Sequence, residues 1–192
     1  QSRAFRWTSA GMVDLGTLGG NHSESQAVSA DGSVVVGYAH NANNQSRAFR
    51  WTSAGMVNLG TFGGNYSSAQ AVSADGTTVV GYAENASNQA RAFRWTSAEG
   101  MTDLGTLGGN YSYAYAVSAN GAVVVGNARN FANEDRAFRW TSAGMVDLGT
   151  LGGNGSYAQA VSADGSVVAG YAHNASNQNR AFRWTSAGMV DL

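Results

Sequence analysis

Three histidines, twelve carboxylates and eleven arginines are the groups of this chain that could do acid–base, metal or anion chemistry. Their spacing argues against most of it. His22, His40 and His173 share no metal-ligand spacing, and no His-Glu-x-x-His occurs. Cysteine and lysine are absent, which removes the thiolate and amine nucleophiles. Serine is plentiful, but no Gly-x-Ser-x-Gly turn leads from a strand into a helix. Glycine pairs such as Gly19-Gly20 resemble a phosphate loop superficially, yet no lysine follows them and no helix offers its N-terminus. Cleavage of a polysaccharide would need two carboxylates flanking one bond. The recurring acids sit at turns instead, so no catalytic residue, metal ligand or cofactor is expected.

Asp31, Asp75 and Asp164 each precede a glycine, and Asn120 stands at the same place in the third copy. One carboxylate per turn is too few for calcium, and an Asn serves a turn as well as an Asp does. Asp14, Asp103, Asp147 and Asp191, with Asn58 in the second copy, are expected to pair with an arginine such as Arg6 or to cap a loop.

The copies differ mainly at two places. One follows Gly-Gly-Asn: His22, Tyr66, Tyr111 and Gly155, then Glu24, Ser68, Tyr113 and Tyr157. The other, read as a loop, holds His40, Glu84, Arg129 and His173, with Asn127 and Phe131 peculiar to the third copy. Tyr111, Tyr113 and Tyr115 alternate and so share one face of a strand. Tyr66, Tyr111, Tyr113, Tyr115 and Tyr157 are therefore the candidate ligand-binding residues, able to stack on a sugar or a partner protein. Drift at exposed positions would leave the same pattern. The five tryptophans could also be sugar platforms, but one in each strand interior reads as packing between sheets.

The elements that must position these residues follow from the repeat. Arg-Ala-Phe-Arg-Trp starts at Arg3, Arg47, Arg91, Arg136 and Arg180, spacings of 44, 44, 45 and 44. The repeats are 3–46, 47–90, 91–135 and 136–179, with a half-repeat at 180–192, in one domain spanning 1–192. Each unit reads as four short strands: Ser25–Ala30, a two-residue Asp31-Gly32 hairpin, Ser33–Ala39, a loop at Asn41–Gln45, Arg47–Thr52, a Ser53-Ala54-Gly55 turn, and Met56–Leu59. In the third of these strands Phe49 and Trp51 take one face and Ala48 and Arg50 the other. The one inserted residue, Glu99, falls in a turn, where a strand's faces are not flipped. No 3.6-residue apolar period is sustained. The reading is an all-β, propeller-like array of four-stranded antiparallel repeats, with an open β-solenoid as the alternative.

Charged residues make up only 12% of the chain and their signs nearly cancel, so nucleic acid and anionic membrane surfaces are not expected partners. Its apolar runs are too short to cross a bilayer as a helix. The chain opens in mid-repeat, as expected of a piece of something longer. Five copies of the third and fourth strands against four of the first and second leave a spare pair, whose edge invites strand addition and self-association.

Arg-Ala-Phe-Arg-Trp, then Gly-Met-x-Asp-Leu-Gly-Thr-Leu-Gly-Gly, then Ser-x-Ala-x-Ala-Val-Ser-x-Asp-Gly-x-Val-Val-x-Gly resembles the bacterial extracellular HAF repeat, over essentially the whole chain. The family's His-Ala-Phe appears here as Arg-Ala-Phe in all five copies. The resemblance implies a secreted or surface-attached bacterial protein, in some cases an autotransporter passenger. It implies no reaction and no functional residues. The expected function is ligand or partner binding or cell-surface adhesion, with a self-associating scaffold as the alternative.

Overall fold

The computed structural model describes residues 2–192. Among the described residues, the strands form four four-stranded antiparallel sheets and one two-stranded sheet. The short pair is β1 (Phe5–Thr8) with β2 (Gly11–Asp14). The first full blade is β3 (Gly19–Val28), β4 (Val35–Asn41), β5 (Ser46–Thr52) and β6 (Gly55–Asn58). The second is β7 (Gly63–Val72), β8 (Thr78–Asn85), β9 (Ala90–Thr96) and β10 (Gly100–Asp103). The third is β11 (Gly108–Val117), β12 (Val124–Asn130), β13 (Asp135–Thr141) and β14 (Gly144–Asp147). The fourth is β15 (Gly152–Val161), β16 (Val168–Asn174), β17 (Asn179–Thr185) and β18 (Gly188–Asp191). Each blade is a simple meander with its strands in chain order. This is a β-propeller-like array. A solenoid would run parallel ladders between repeats, whereas the parallel pairings found are isolated bridges such as Leu18↔Asn41.

The blade and the sequence repeat are out of phase. Residues 180–192 complete the fourth blade, and the pair without first and second strands is β1–β2 at the other end. Strand bounds also move. The first strand begins at Gly19 rather than Ser25, so the Gly-Gly-Asn segment is strand, and the variable positions 22, 24 and 40 are strand residues rather than loop residues. The Asp31-Gly32 turn is not a two-residue hairpin. Ser29 N–H donates to Val34 O and Gly32 N–H to Ser29 O, which closes a longer connection between β3 and β4.

In that connection Asp31 Oδ1 accepts from Ser29 Oγ at 2.7 Å, Ser33 N at 2.9 Å and Ser33 Oγ at 2.8 Å. These bonds, the Ser29 hydroxyl foremost, favour the ionised carboxylate and hold Asp31 at a pKa of about 2; Asp164 is held at about 2 by Ser162 and Ser166. A pKa depressed by folding contributes stability above the unfolded value, and that stability is lost as pH falls through the folded one. The expected result is a carboxyl titration by NMR near pH 2 for both aspartates. Asn120, which accepts from Ser118 Oγ and Ala122 N in the same geometry, does not titrate and so contributes no such pH dependence. A midpoint near 4 for Asp31 would refute this account.

Apolar residues fill the spaces between blades. Phe49, Phe93, Phe138 and Phe182 are essentially inaccessible. The alternation in β5 works as expected: Phe49 and Trp51 pack towards Ala4 and Leu15 of the β1–β2 segment, while Ala48 joins Ala69, Val79, Ala83 and Phe93 of the second blade. Trp51, Trp95, Trp140 and Trp184 are half-buried on these clusters, whereas Trp7 is 69% exposed. The deep packing is therefore done by the phenylalanines, with the tryptophans at its margin.

Polar links between blades recur with the same register. Arg6, Arg50, Arg94 and Arg139 each donate Nε–H to the carbonyl of a turn glycine in the next blade: Gly32, Gly76, Gly121 and Gly165. Backbone bonds join the turns themselves, Ala30 N to Ala74 O, Ala74 N to Ala119 O and Ala119 N to Ala163 O. The first strands line the inside, β3 beside β7, β7 beside β11 and β11 beside β15, and no comparable contact joins β15 to β3. The four blades form an open series.

Candidate functional site

Side chains on the inner two strands of each blade, near the end where the second strand turns into the third, form a belt of aromatic groups, in ring contact across one blade junction, Tyr82 with Tyr113. Cross-strand pairing puts Glu24 opposite Tyr38, Ser68 opposite Tyr82, Tyr113 opposite Asn127 and Tyr157 opposite Tyr171. Directly opposed side chains on one face are close enough to touch. In the first blade His22 lies 5.0 Å from His40 and 5.5 Å from Tyr38, centroid to centroid. Tyr66 stacks on Tyr82 at 5.7 Å, and Tyr82 meets Tyr113 of the next blade edge-on at 4.8 Å. Tyr113 contacts Tyr111 at 5.4 Å and lies parallel to Tyr115 at 6.4 Å. Tyr157 stacks on Tyr171 at 4.8 Å with His173 at 6.4 Å.

The five candidate tyrosines therefore all belong to the belt, and Tyr66, Tyr111, Tyr113, Tyr115 and Tyr157 are each half-buried. They are brought together with tyrosines that the sequence comparison did not single out, Tyr38, Tyr82 and Tyr171. Those three share a position at which the third copy has Asn127. Tyr115 is the extra residue of a β-bulge, since Ala114 pairs with Gly126 and Ala116 with Val125. An open cleft of about 640 Å³ lies at the first-blade end of the belt, lined by His22, Tyr38, His40, Asn44, Ser46 and Tyr66 among others.

Burial and carboxylates raise the pKa of six of these phenols. The Tyr38 hydroxyl donates to Glu24 Oε2 at 2.7 Å, and that bond with partial burial pushes its pKa up to about 12. Burial raises Tyr82, Tyr111 and Tyr113, and takes Tyr115 and Tyr157 to about 12. The belt is thus a row of ring faces whose hydroxyls at Tyr38, Tyr111 and Tyr157 are held by carboxylates, an arrangement of apolar faces and fixed polar groups that suits a ligand with both apolar and hydroxyl surface.

Asp135 is the residue that sequence comparison missed. It stands where the other copies have Ser46, Ala90 and Asn179. One of its oxygens accepts from the Tyr111 hydroxyl at 2.5 Å and the other from Tyr157, in the next blade, at 3.0 Å. Asn127 Nδ2 reaches the same carboxylate at 3.4 Å, and the Arg129 guanidinium lies 4.8 Å from the Tyr111 ring centroid. Asn127 is 4% exposed and its Oδ1 has no protein partner, nor has Arg129 Nε. Asn127 and Asp135, both peculiar to the third copy, thus meet, and Arg129, also peculiar to it, lies on the Tyr111 ring that Asp135 holds.

The aspartates after the outer turn cap loops. Asp14 accepts from Gly16 N at 2.8 Å, and Asp103, Asp147 and Asn58 do likewise from the equivalent glycines. Where such an aspartate meets an arginine, it is the first arginine of the motif, Arg136 with Asp147 and Arg180 with Asp191, rather than the Arg6 type. No group of three or more His, Asp or Glu side chains converges as a metal site among the described residues.

No protein-family model matches this sequence, and no curated protein does. Similar solved structures include TolB from Acinetobacter baumannii, with a TM-score of 0.63 at 14% identity over 88% of this chain and 42% of that one. The putative TolB from Agrobacterium tumefaciens has a TM-score of 0.66 at 14% identity, over 97% of this chain and 67% of that one. The β-propeller domain of the trilobed protease from Pyrococcus furiosus, which has an open velcro topology, has a TM-score of 0.62 at 11% identity, over 94% of this chain and 59% of that one. This chain thus spans less than half of the first of these proteins. At such identities the likeness is one of fold.

Proposed function

We propose that the chain is a non-catalytic recognition module of a secreted or surface-attached bacterial protein, binding a glycan or a partner protein along its aromatic belt. One observation carries the reading: ring contacts occur in every blade along its inner strands, and Tyr113, Tyr115, Asn127, Arg129 and Asp135 of the third copy gather there, while Phe49, Phe93, Phe138 and Phe182 stay constant between blades. The resemblance to HAF repeats supports the extracellular setting. The protease among the structural neighbours matches in its β-propeller domain, so its name lends no hydrolytic reading to this chain.

The test is a glycan array together with the variant Tyr113→Ala. Tyr113 touches Tyr82, Tyr111 and Tyr115, so its loss opens the middle of the belt. Aromatic contacts contribute about 0.5–1.5 kcal/mol each beyond burial. Affinity for a glycan is expected to fall by roughly tenfold, since about 1.4 kcal/mol is a factor of ten. Silence across the array would remove the glycan form of the proposal, and unchanged binding by the variant would remove the belt.

A second reading, self-association, has its own observation. Phe5 is 51% and Trp7 69% exposed where the equivalent Phe49 is fully buried. At the opposite end Ala169 and Ala181 are exposed where Val36 and Ala48 are buried. Within the array the second kind of face packs against the first kind on the following blade, so the two ends are complementary. Neighbouring repeats of a longer array would cover the same faces. Light scattering of the 192-residue chain over a concentration range is expected to show mass growth that Trp7→Glu suppresses. A constant monomer mass would refute it.

A further inference from the structure

The junction between the third and fourth blades differs from its counterparts by one missing ring. Where the second and third blades carry Tyr66 and Tyr111, the fourth carries Gly155. A Cβ built on Gly155 would already come within 3.2 Å of the His173 ring. The space left by the ring is a pocket of about 260 Å³, whose lining includes Asp135, Asn154, Tyr157 and His173.

Its walls are fixed from behind. Tyr157 is held by its stack on Tyr171 and by its bond to Asp135. His173 Nδ1 is 2.8 Å from Asn154 Oδ1. Arg136 donates to Asn154 O at 2.9 Å and to Glu134 Oε2 at 2.7 Å, which ties the two sides of the pocket together and engages that guanidinium. Two carboxylates with that guanidinium already occupied disfavour an anion. The oxygens at the pocket are acceptors: each oxygen of Asp135 already takes one phenol hydroxyl, Glu134 takes Arg136, and a carboxylate oxygen can accept a second hydrogen bond. A ligand that suits these walls is uncharged, rich in O–H donors, and has one apolar face for the Tyr157 ring.

We propose that this junction is a subsite for a single uncharged sugar ring, held by the Asp135 carboxylate and Asn154 and backed by the Tyr157 ring. Two phenol hydroxyls now sit one on each oxygen of Asp135, the pattern that a pair of adjacent sugar hydroxyls would reproduce. The subsite lies on the belt and so rests on the binding function proposed above. It narrows that function to one junction and one ligand chemistry.

Saturation-transfer NMR with the methyl glycosides of glucose, galactose, mannose and fucose tests it on the full chain. Gly155→Tyr refills the pocket with the ring present at Tyr66 once the His173 ring gives by a few tenths of an ångström, and Asp135→Ser installs the residue present at Ser46. Each variant is expected to weaken binding of at least one glycoside by tenfold or more, with thermal melts near the parent's. Unchanged binding in both variants would overturn the subsite. If array binding then still depends on Tyr113, the belt stands and only the subsite falls. Preference for a uronic acid over its neutral hexose would also overturn the proposal, because the two carboxylates repel it.

Discussion

Replacing Gly126 by alanine is expected to destabilise the protein more than any other single methyl addition in the third blade. A Cβ at this position would lie 1.9 Å from Tyr113 O and 3.0 Å from Ala114 Cα, backbone atoms that cannot step aside. Gly37, Gly81 and Gly170 meet Glu24 O, Ser68 O and Tyr157 O at 2.0, 2.1 and 2.0 Å in the same way. The close approach is part of the bulge at Tyr115: the extra residue swings the β11 carbonyl towards β12, and only a residue without a side chain admits it. The methyl must push the strands apart and unmake the bulge, at a cost of about 3 kcal/mol or more, beyond the usual range for overpacking. For a chain of this size that lowers Tm by on the order of 10 °C. Gly144→Ala is the control. Its φ is +114° but no atom lies within 4 Å, so it is expected to lose about 1 kcal/mol from backbone conformation alone. Thermal melts in which Gly144→Ala is the more damaging would show that the contact with β11 is not what requires glycine. The same contact aims Tyr113 and Tyr115 into the belt, so ligand affinity should fall with stability in Gly126→Ala.

The four-strand unit was legible because its apolar and polar residues alternate and its turns carry Asp-Gly and Ala-Gly pairs. The rest depends on contacts within each blade that local residue chemistry does not show. Gly63-Gly64-Asn65 reads as a loop, yet Gly64 is in β7, where a Cβ would collide with the Glu84 side chain and Asn85 O of β8. There the tight packing of two strands calls for glycine. Asp31-Gly32 has the residues of a two-residue hairpin, but Asp31 spends its carboxylate on Ser29 and Ser33, and only Gly32 takes a positive φ. The longer connection follows from those bonds.

The site was legible to a different extent. Variation between copies pointed to Tyr66, Tyr111, Tyr113, Tyr115 and Tyr157, and the structure places all five on one surface. Tyr38, Tyr82 and Tyr171 share a position whose one departure, Asn127, is what stands out in the sequence, although the three rings lie beside the variable ones. Asp135 was hidden for another reason. It is 20 residues or more from Tyr111 and Tyr157 in the chain, and only blade packing brings the three together. A signal was present: an acid replaces Ser46 and Ala90 in the same copy in which Asn127 replaces tyrosine. Two substitutions in one copy, at positions that the pairing of β12 with β13 brings close, are what a compensating pair looks like in a repeat.

Ser112→Ala is the second large effect, and it separates the inter-blade links from the packing. Ser112 is fully buried, and its Oγ accepts from Ala92 N at 2.9 Å and donates to Gly105 O at 2.6 Å. Ser23, Ser67 and Ser156 make the same two bonds to Ala4 and Gly16, to Ala48 and Gly60, and to Ala137 and Gly149. One hydroxyl thus joins the third strand of one blade to the loop that enters the next. Alanine keeps the volume of the site nearly unchanged but leaves a backbone N–H and a carbonyl without this partner. The Ala92 bond is buried and the Gly105 bond partly so, and at about 1–3 kcal/mol for a buried unsatisfied group and less for the other the variant is expected to lose roughly 2–4 kcal/mol. The change acts on a link rather than on a core, so hydrogen exchange should accelerate first at Ala92 N–H and along β9 and β11, the two strands that the hydroxyl connects. Ser112→Thr keeps the hydroxyl but adds a methyl to a filled site, and is expected to recover only part of the loss. A melt of Ser112→Ala within a degree or two of the parent would show that the hydroxyl is dispensable and that the phenylalanine layers alone set the stacking of the blades.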